Sequence, residues 1–193
     1  MSELIPSISY NQHDIIRWII QLHLGGQPIH CDPTYGNGNF YKPDDVKEPF
    51  HTSDIGDGTD ASDLSFPNNS LRSIMFDPPF LQTTGRGSII KDRFGSYPTM
   101  KDLWAFYASA LWEFCRVLQP KGVLIVKSQN TVMSGKQWWS TNYICNLASE
   151  FGLELVDEFV LLAKHRMPQH NLKQQRHARK YHSYFLVFRK GAK

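Results

Sequence analysis

Three stretches of the chain carry apolar residues at helical spacing, and several shorter ones are unbroken apolar runs. Residues 14–24, with Ile15, Ile16, Trp18, Ile19, Ile20, Leu22 and Leu24, predict a helix that Gly25-Gly26 closes. A second helix is predicted from Thr99, its N-cap, through Leu103, Phe106, Tyr107, Ala110, Leu111, Phe114 and Leu118, with Pro120-Lys121-Gly122 as its end. A third covers about residues 140–151 and stops at Gly152. Strands are predicted over residues 27–32, 73–76, 123–126, 154–163 and 184–188, with a short one near 50–55. Residues 41–69 and 81–99 are polar and rich in Gly, Pro and Asp, as loops are.

Strands alternating with helices predict an α/β fold, a mostly parallel sheet with helices on both faces. The last two strands are joined by a polar basic loop and not by a helix, so they are expected to pair antiparallel at one end of the sheet. Residues 39–48 contain Pro43, Asp44 and Asp45 and are poor helix material, so any crossover helix there should be short or missing. No stretch has the composition of a linker, and residues 1–193 are expected to form one domain.

Composition narrows the class. With 193 residues, 41% hydrophobic and 20% charged, the chain can bury a core. No apolar run approaches the roughly 18 residues of a membrane span, and the first ten residues lack a basic and then apolar leader. Cys31, Cys115 and Cys145 are far apart, which argues against a disulfide framework or a zinc site. A cytoplasmic protein without membrane contact is expected, as a monomer or homodimer. The net charge of +3 hides an asymmetry, because residues 159–193 hold nine of the 21 Lys and Arg and none of the Asp and Glu. A basic end on an acidic body fits a polyanionic partner or a solvated face.

Two motifs carry chemistry. Asp32-Pro33-Thr34-Tyr35-Gly36-Asn37-Gly38 follows a predicted strand, and its glycines let the backbone approach a ligand closely. A plain tight turn has the same signature. Asp77-Pro78-Pro79-Phe80 also follows a strand. Its two prolines fix φ and remove two N–H donors, leaving the Asp77 carboxylate beside fixed carbonyls. Such an acceptor-only site suits an amino group with two protons to donate. Phe80 offers a flat face for a base or a ring for the core.

In this order, the two motifs resemble those of class I S-adenosylmethionine-dependent amino-methyltransferases, which modify the exocyclic amino group of adenine or cytosine in DNA or of guanine in RNA. Asp60-Ala-Ser-Asp-Leu-Ser-Phe-Pro67, Arg116-Val-Leu-Gln-Pro-Lys-Gly122 and His182-Ser-Tyr-Phe-Leu-Val-Phe188 extend the likeness. The ends, Ser7-Ile-Ser-Tyr-Asn11 and Gln175-Arg-His-Ala-Arg-Lys-Tyr-His182, are most similar to small methyltransferases of phages and prophages. The resemblance implies a Rossmann-like class I methyltransferase sheet with an antiparallel C-terminal strand, and S-adenosyl-L-methionine as cofactor. It implies that Asp32, Pro33, Tyr35, Gly36 and Gly38 hold the methionine part, with Tyr10 and Asn11 near its carboxylate. Asp54 would accept from the ribose hydroxyls, and Asp60 with Ala61 would meet the adenine.

It further implies that Asp77, Pro78, Pro79 and Phe80 are catalytic. Asp77 and the Pro78 carbonyl would accept the amino hydrogens, freeing the nitrogen lone pair for in-line methyl transfer. In a duplex the target base would be flipped out against Phe80. No metal is expected. Substrate contacts are expected from two loops, residues 81–99 with Arg86, Lys91 and Arg93, and residues 164–182 with Arg166, Lys173, Arg176, Arg179 and Lys180. The expected partner is nucleic acid, DNA ahead of RNA. The expected reaction is methylation of adenine N6, or of cytosine N4. RNA guanine N2 methylation and a catalytically silent nucleic-acid-binding relative are the alternatives.

Overall fold

The computed structural model describes residues 4–82, 97–164 and 174–192. In chain order the elements are β1 (Ile8–Ser9), α1 (Gln12–His23), β2 (Cys31–Asp32), β3 (His51–Thr52), a 3-10 turn (Ile55–Asp57), β4 (Leu71–Phe76), α2 (Met100–Val117), β5 (Leu118–Ser128), β6 (Thr131–Met133), β7 (Lys136–Trp138), α3 (Ser140–Glu150), β8 (Leu153–Leu162) and β9 (His182–Lys190). Seven strands form one sheet in the order β1-β8-β9-β5-β4-β2-β3, and β6 and β7 form a separate hairpin. β9 runs antiparallel to both β5 and β8, and every other pair in the sheet is parallel.

Period-two alternation explains why both faces need cover. Ile74 and Phe76, Leu124 and Val126, and Leu186 and Phe188 point to one face. There they meet Leu103, Tyr107, Ala110, Leu111 and Phe114 of α2 and Ile144 and Ala148 of α3. Met75, Val123, Ile125, Phe185 and Val187 point to the other and meet Ile15, Ile16 and Ile19 of α1. Each large side chain so buried contributes roughly 1.5–3 kcal/mol. Helix ends follow local chemistry. Asn11 caps α1 by accepting from the His13 N–H at 3.1 Å. Thr99 and Asp102 form a reciprocal capping box on α2.

No helix connects β2 to β3. Phe40, Tyr41 and Val46 enter the core from coil instead. Four details differ from the sequence pattern. The ladder of β2 is shorter than residues 27–32, since Pro28 has no N–H, although Phe50 and His51 still donate to the Ile29 and His30 carbonyls. α2 ends at Val117, and Pro120-Lys121-Gly122 lies within β5 beside a register shift, with Lys121 at φ 64°. β1, only two residues long, adds to β8 and is too short for a periodic signal. The β6–β7 hairpin turns on Ser134-Gly135, both at positive φ, as a two-residue turn requires.

Candidate active site

From β2 the chain crosses to β3 on one side and then places β4 on the other. The carboxyl ends of β2 and β4 therefore release their loops in opposite directions and leave a crevice between them, where open α/β sheets bind ligands. The sequence puts Pro33 to Gly38 in one loop and Asp77 to Phe80 in the other.

The first loop is built around Asp32, which is fully buried. One carboxylate oxygen accepts from the Thr34 N–H (2.9 Å) and hydroxyl (3.0 Å), and the other from the Tyr41 hydroxyl (2.7 Å). Burial pushes its carboxyl up to about 7, against these hydrogen bonds. Asp32 thus shapes the loop and reaches the crevice through Thr34, whose hydroxyl oxygen also accepts the Asp77 N–H at 2.8 Å. Tyr35 stacks on Tyr41 with the rings 5.7 Å apart and donates to Glu48 at 2.8 Å. Gly38, at φ +62°, has the Tyr35 ring where a Cβ would stand. The Gly36 N–H donates to Asp54 at 3.0 Å, and the other Asp54 oxygen accepts from Gly56 at 3.1 Å. Asp54 therefore ties the loops after β2 and β3 together.

The second loop is held from both sides. The Tyr107 hydroxyl of α2 donates to the Pro79 carbonyl. Lys127, on β5, brings its ammonium to 3.4 Å from an Asp77 carboxylate oxygen. That ammonium also lies over the rings of Phe40 (4.8 Å), Phe185 (5.7 Å) and Phe80 (5.9 Å). Burial raises the Asp77 carboxyl, and Lys127 pulls it back toward the charged form. The roles of Thr34 and Lys127 were not among the sequence-based expectations, and for Thr34 the sequence pattern gave no sign. For Lys127 a signal existed, a charge directly after the apolar run Val123 to Val126 on the strand beside Asp77.

Pro33, Thr34, Asp54, Asp60, Ala61 and Pro79 line one cleft, closed by Ile55, Tyr97 and Phe106. Asp60 holds the Ser62 N–H (2.8 Å) and hydroxyl (2.7 Å) on one oxygen. Burial raises the Tyr97 phenol, and Asp60 adds to the effect. Two carboxylates beside Ile55, Tyr97 and Phe106 suit a nucleoside, with hydroxyls against the acids and a flat ring against the apolar wall.

Tyr10 and Asn11 stand outside that cleft, Tyr10 exposed and Asn11 capping α1. Gln12 and His13 both reach the Asn39 carbonyl, at 3.3 and 2.8 Å, which draws the start of α1 to the end of the glycine loop. Arg86, Lys91, Arg93, Arg166 and Lys173 lie outside the described residues. Arg176 is exposed, Arg179 lies over Tyr181 (5.8 Å) and Lys180 over Trp139 (5.1 Å). Among the described residues no helix is long and apolar enough to cross a membrane, and no cluster of His, Cys, Asp and Glu could hold a metal ion.

No protein-family model and no curated protein matches the sequence. Solved structures do match in shape. One is the PvuII DNA methyltransferase, described as cytosine-N4-specific, with a TM-score of 0.52 and 20% identity over 69% of this chain and 48% of that one. The chain has a Rossmann-like methyltransferase fold. The cyclase SpnF is similar over 94% of this chain and 82% of its own, at 14% identity and a TM-score of 0.54. The complex of M1.HpyAVI with S-adenosylmethionine gives 15% identity and a TM-score of 0.37 over 65% of this chain and 46% of that one. The chain spans about half the length of the first structures it matches, 50% of a Thermus thermophilus protein and 48% of the PvuII enzyme. A methyltransferase-like fold that also serves a cyclase does not decide the reaction, which depends on the groups in the crevice.

Proposed function

We propose that the chain is an S-adenosylmethionine-dependent methyltransferase acting on an exocyclic amino group of a DNA base, adenine N6 ahead of cytosine N4. The observation that carries this reading is the Asp77 carboxylate, paired with Lys127 on one oxygen and tied through its N–H to Thr34, which with Pro79 lines the cleft that Asp54 and Asp60 share. Lys127 favours the charged, acceptor form of Asp77. An acceptor pair of this kind suits a group with two N–H bonds.

Asp54 and Asp60 would accept from the nucleoside part of S-adenosylmethionine, with Ile55, Tyr97 and Phe106 against its ring, and Gly36, Gly38 and the start of α1 near its amino-acid end. When bound there, the cofactor supplies an electrophilic methyl group. Asp77 and the Pro78 carbonyl accept the two amino hydrogens of the target base. This draws the nitrogen lone pair out of conjugation with the ring and makes it nucleophilic. Asp77 is then placed to take the proton that the nitrogen releases. Thr34 and Tyr107 keep the tetrapeptide in position, so orientation and fixed charge supply the acceleration. Phe80, beside Asp77, would stack on an extruded base.

The test is methyl transfer from labelled S-adenosylmethionine to duplex DNA, single-stranded DNA and bulk RNA in parallel, with the modified nucleoside identified by mass spectrometry. N6-methyladenine or N4-methylcytosine in DNA, lost in Asp77→Ala, is the expected result. N2-methylguanine in RNA, or no transfer despite cofactor binding, would overturn it.

A further inference from the structure

Trp139 has 52% of its surface exposed, although it stands between the β6–β7 hairpin and α3, where its neighbours are packed. Trp138 meets Trp104 edge-on at 5.3 Å, and Trp104 stacks on Tyr143 at 4.3 Å. The backbone around Trp139 is pinned. Ser140 accepts from the Trp104 indole N–H at 3.0 Å. The Thr141 N–H donates to Asn130 at 3.0 Å, and the Thr141 and Ser128 hydroxyls lie 3.0 Å apart. The backbone that carries Trp139 is therefore held, and its ring is half exposed to solvent.

Its surroundings are cationic. Lys180 lies over the indole at 5.1 Å and Lys136 over Trp138 at 4.4 Å. The segment carrying Lys180 is fastened to the hairpin, because the His177 ring meets the Gly135 carbonyl at 2.9 Å. Neither residues 129–149 nor residues 174–192 contain an Asp or Glu. The face is linked to the crevice through the end of β5. Gln129 donates to the His182 carbonyl at 2.8 Å, and Lys127, two residues earlier, lies 3.4 Å from Asp77. An exposed aromatic face set among cations is how proteins hold unpaired nucleic acid, with bases on the ring and phosphates on the charges.

We propose that Trp139, flanked by Lys180 and Lys136, is a stacking platform for unpaired nucleotides of the substrate strand next to the target base. The proposal rests on the nucleic-acid reading of the crevice and extends it to a surface outside the reacting groups.

The test is the affinity of the full chain for a labelled 15-nucleotide single-stranded DNA, read by fluorescence anisotropy across a salt series. Trp139→Ala is expected to weaken binding about tenfold, as loss of one base–aromatic stack does. Trp139→Phe, which keeps a ring, should recover most of it. Lys180→Gln should lower the salt slope by about 0.7, one phosphate contact on a single strand. Trp112, which is 63% exposed and packs on Phe151 away from this face, supplies the control, and Trp112→Ala should bind as wild type does. Wild-type affinity in Trp139→Ala, or an equal loss in Trp112→Ala, overturns the proposal. Methyl transfer by the same proteins separates the two readings. If the wild type methylates no nucleic acid but Trp139→Ala still loses strand affinity, the platform stands and the methyltransferase reading falls.

Discussion

The hydroxyl of Thr34 accepts the backbone N–H of Asp77 at 2.8 Å and donates to Asp32 at 3.0 Å. One side chain thus joins the loops that leave β2 and β4 and sets the direction in which the Asp77 backbone exits its strand. Thr34→Val keeps the shape but leaves the Asp77 N–H without its acceptor. A half-buried unmade hydrogen bond costs about 1–2 kcal/mol. The denaturation midpoint should fall accordingly and the methyl-transfer rate should drop, with Thr34→Ser restoring both.

Lys127 stabilises the charged form of Asp77, which burial opposes. Removing the cation in Lys127→Gln should raise the Asp77 carboxyl further. If ionised Asp77 is the working form, activity in the variant is lost at a higher pH on the acid side than in wild type. The pH profile of kcat reads this directly. Asp77→Asn removes the charged acceptor itself and should cost about 100-fold or more in kcat, with cofactor binding little changed.

Asp32 carries a stability signature of its own. Its carboxyl is pushed up to about 7 in the fold, against an ordinary value of 3.8. Between those values the folded chain holds a proton that the unfolded chain has released, so stability falls as pH rises through this window. The full effect is on the order of 4 kcal/mol. Asp32→Asn should flatten the dependence of Tm on pH between 4 and 7, and a scan of Tm against pH in both proteins checks it.

Gly38 needs both its positive φ and its missing side chain, since a Cβ would meet the Tyr35 ring. Gly38→Ala should displace Tyr35 from its stack on Tyr41 and disturb the glycine loop. Weaker binding of S-adenosylhomocysteine, about tenfold by calorimetry, is the expected outcome, together with a lower Tm.

Much of this was legible in the residues. The unbroken apolar runs of β4, β5 and β9 and the helical spacing in α1 and α2 record burial directly, because a strand covered on both faces is apolar at successive positions and a helix covered on one face repeats its apolar residues each turn. Thr99 announced a helix start, and the proline and acids of residues 39–48 announced a missing helix. Asp77-Pro78-Pro79-Phe80 was visible because proline fixes local geometry whatever surrounds it. The role of Thr34 was not visible, since a threonine in a turn has many partners open to it. The β6–β7 hairpin is not among the predicted strands, although Ser134-Gly135 carries a turn signal.

The sequence by itself determined which segments bury which faces, where the helices begin, and which two loops hold an acid in rigid backbone. These follow from forces that act within a few residues. Only the tertiary structure decided that β2 and β4 are neighbours, so that Asp32, Thr34 and Asp77 form one chain of hydrogen bonds. It also decided that Lys127 faces Asp77 and that Lys180 covers Trp139. Those pairs are 50 and 41 positions apart in the chain. Their meeting is set by the order of strands in the sheet, a property of the packed core as a whole and of no single segment.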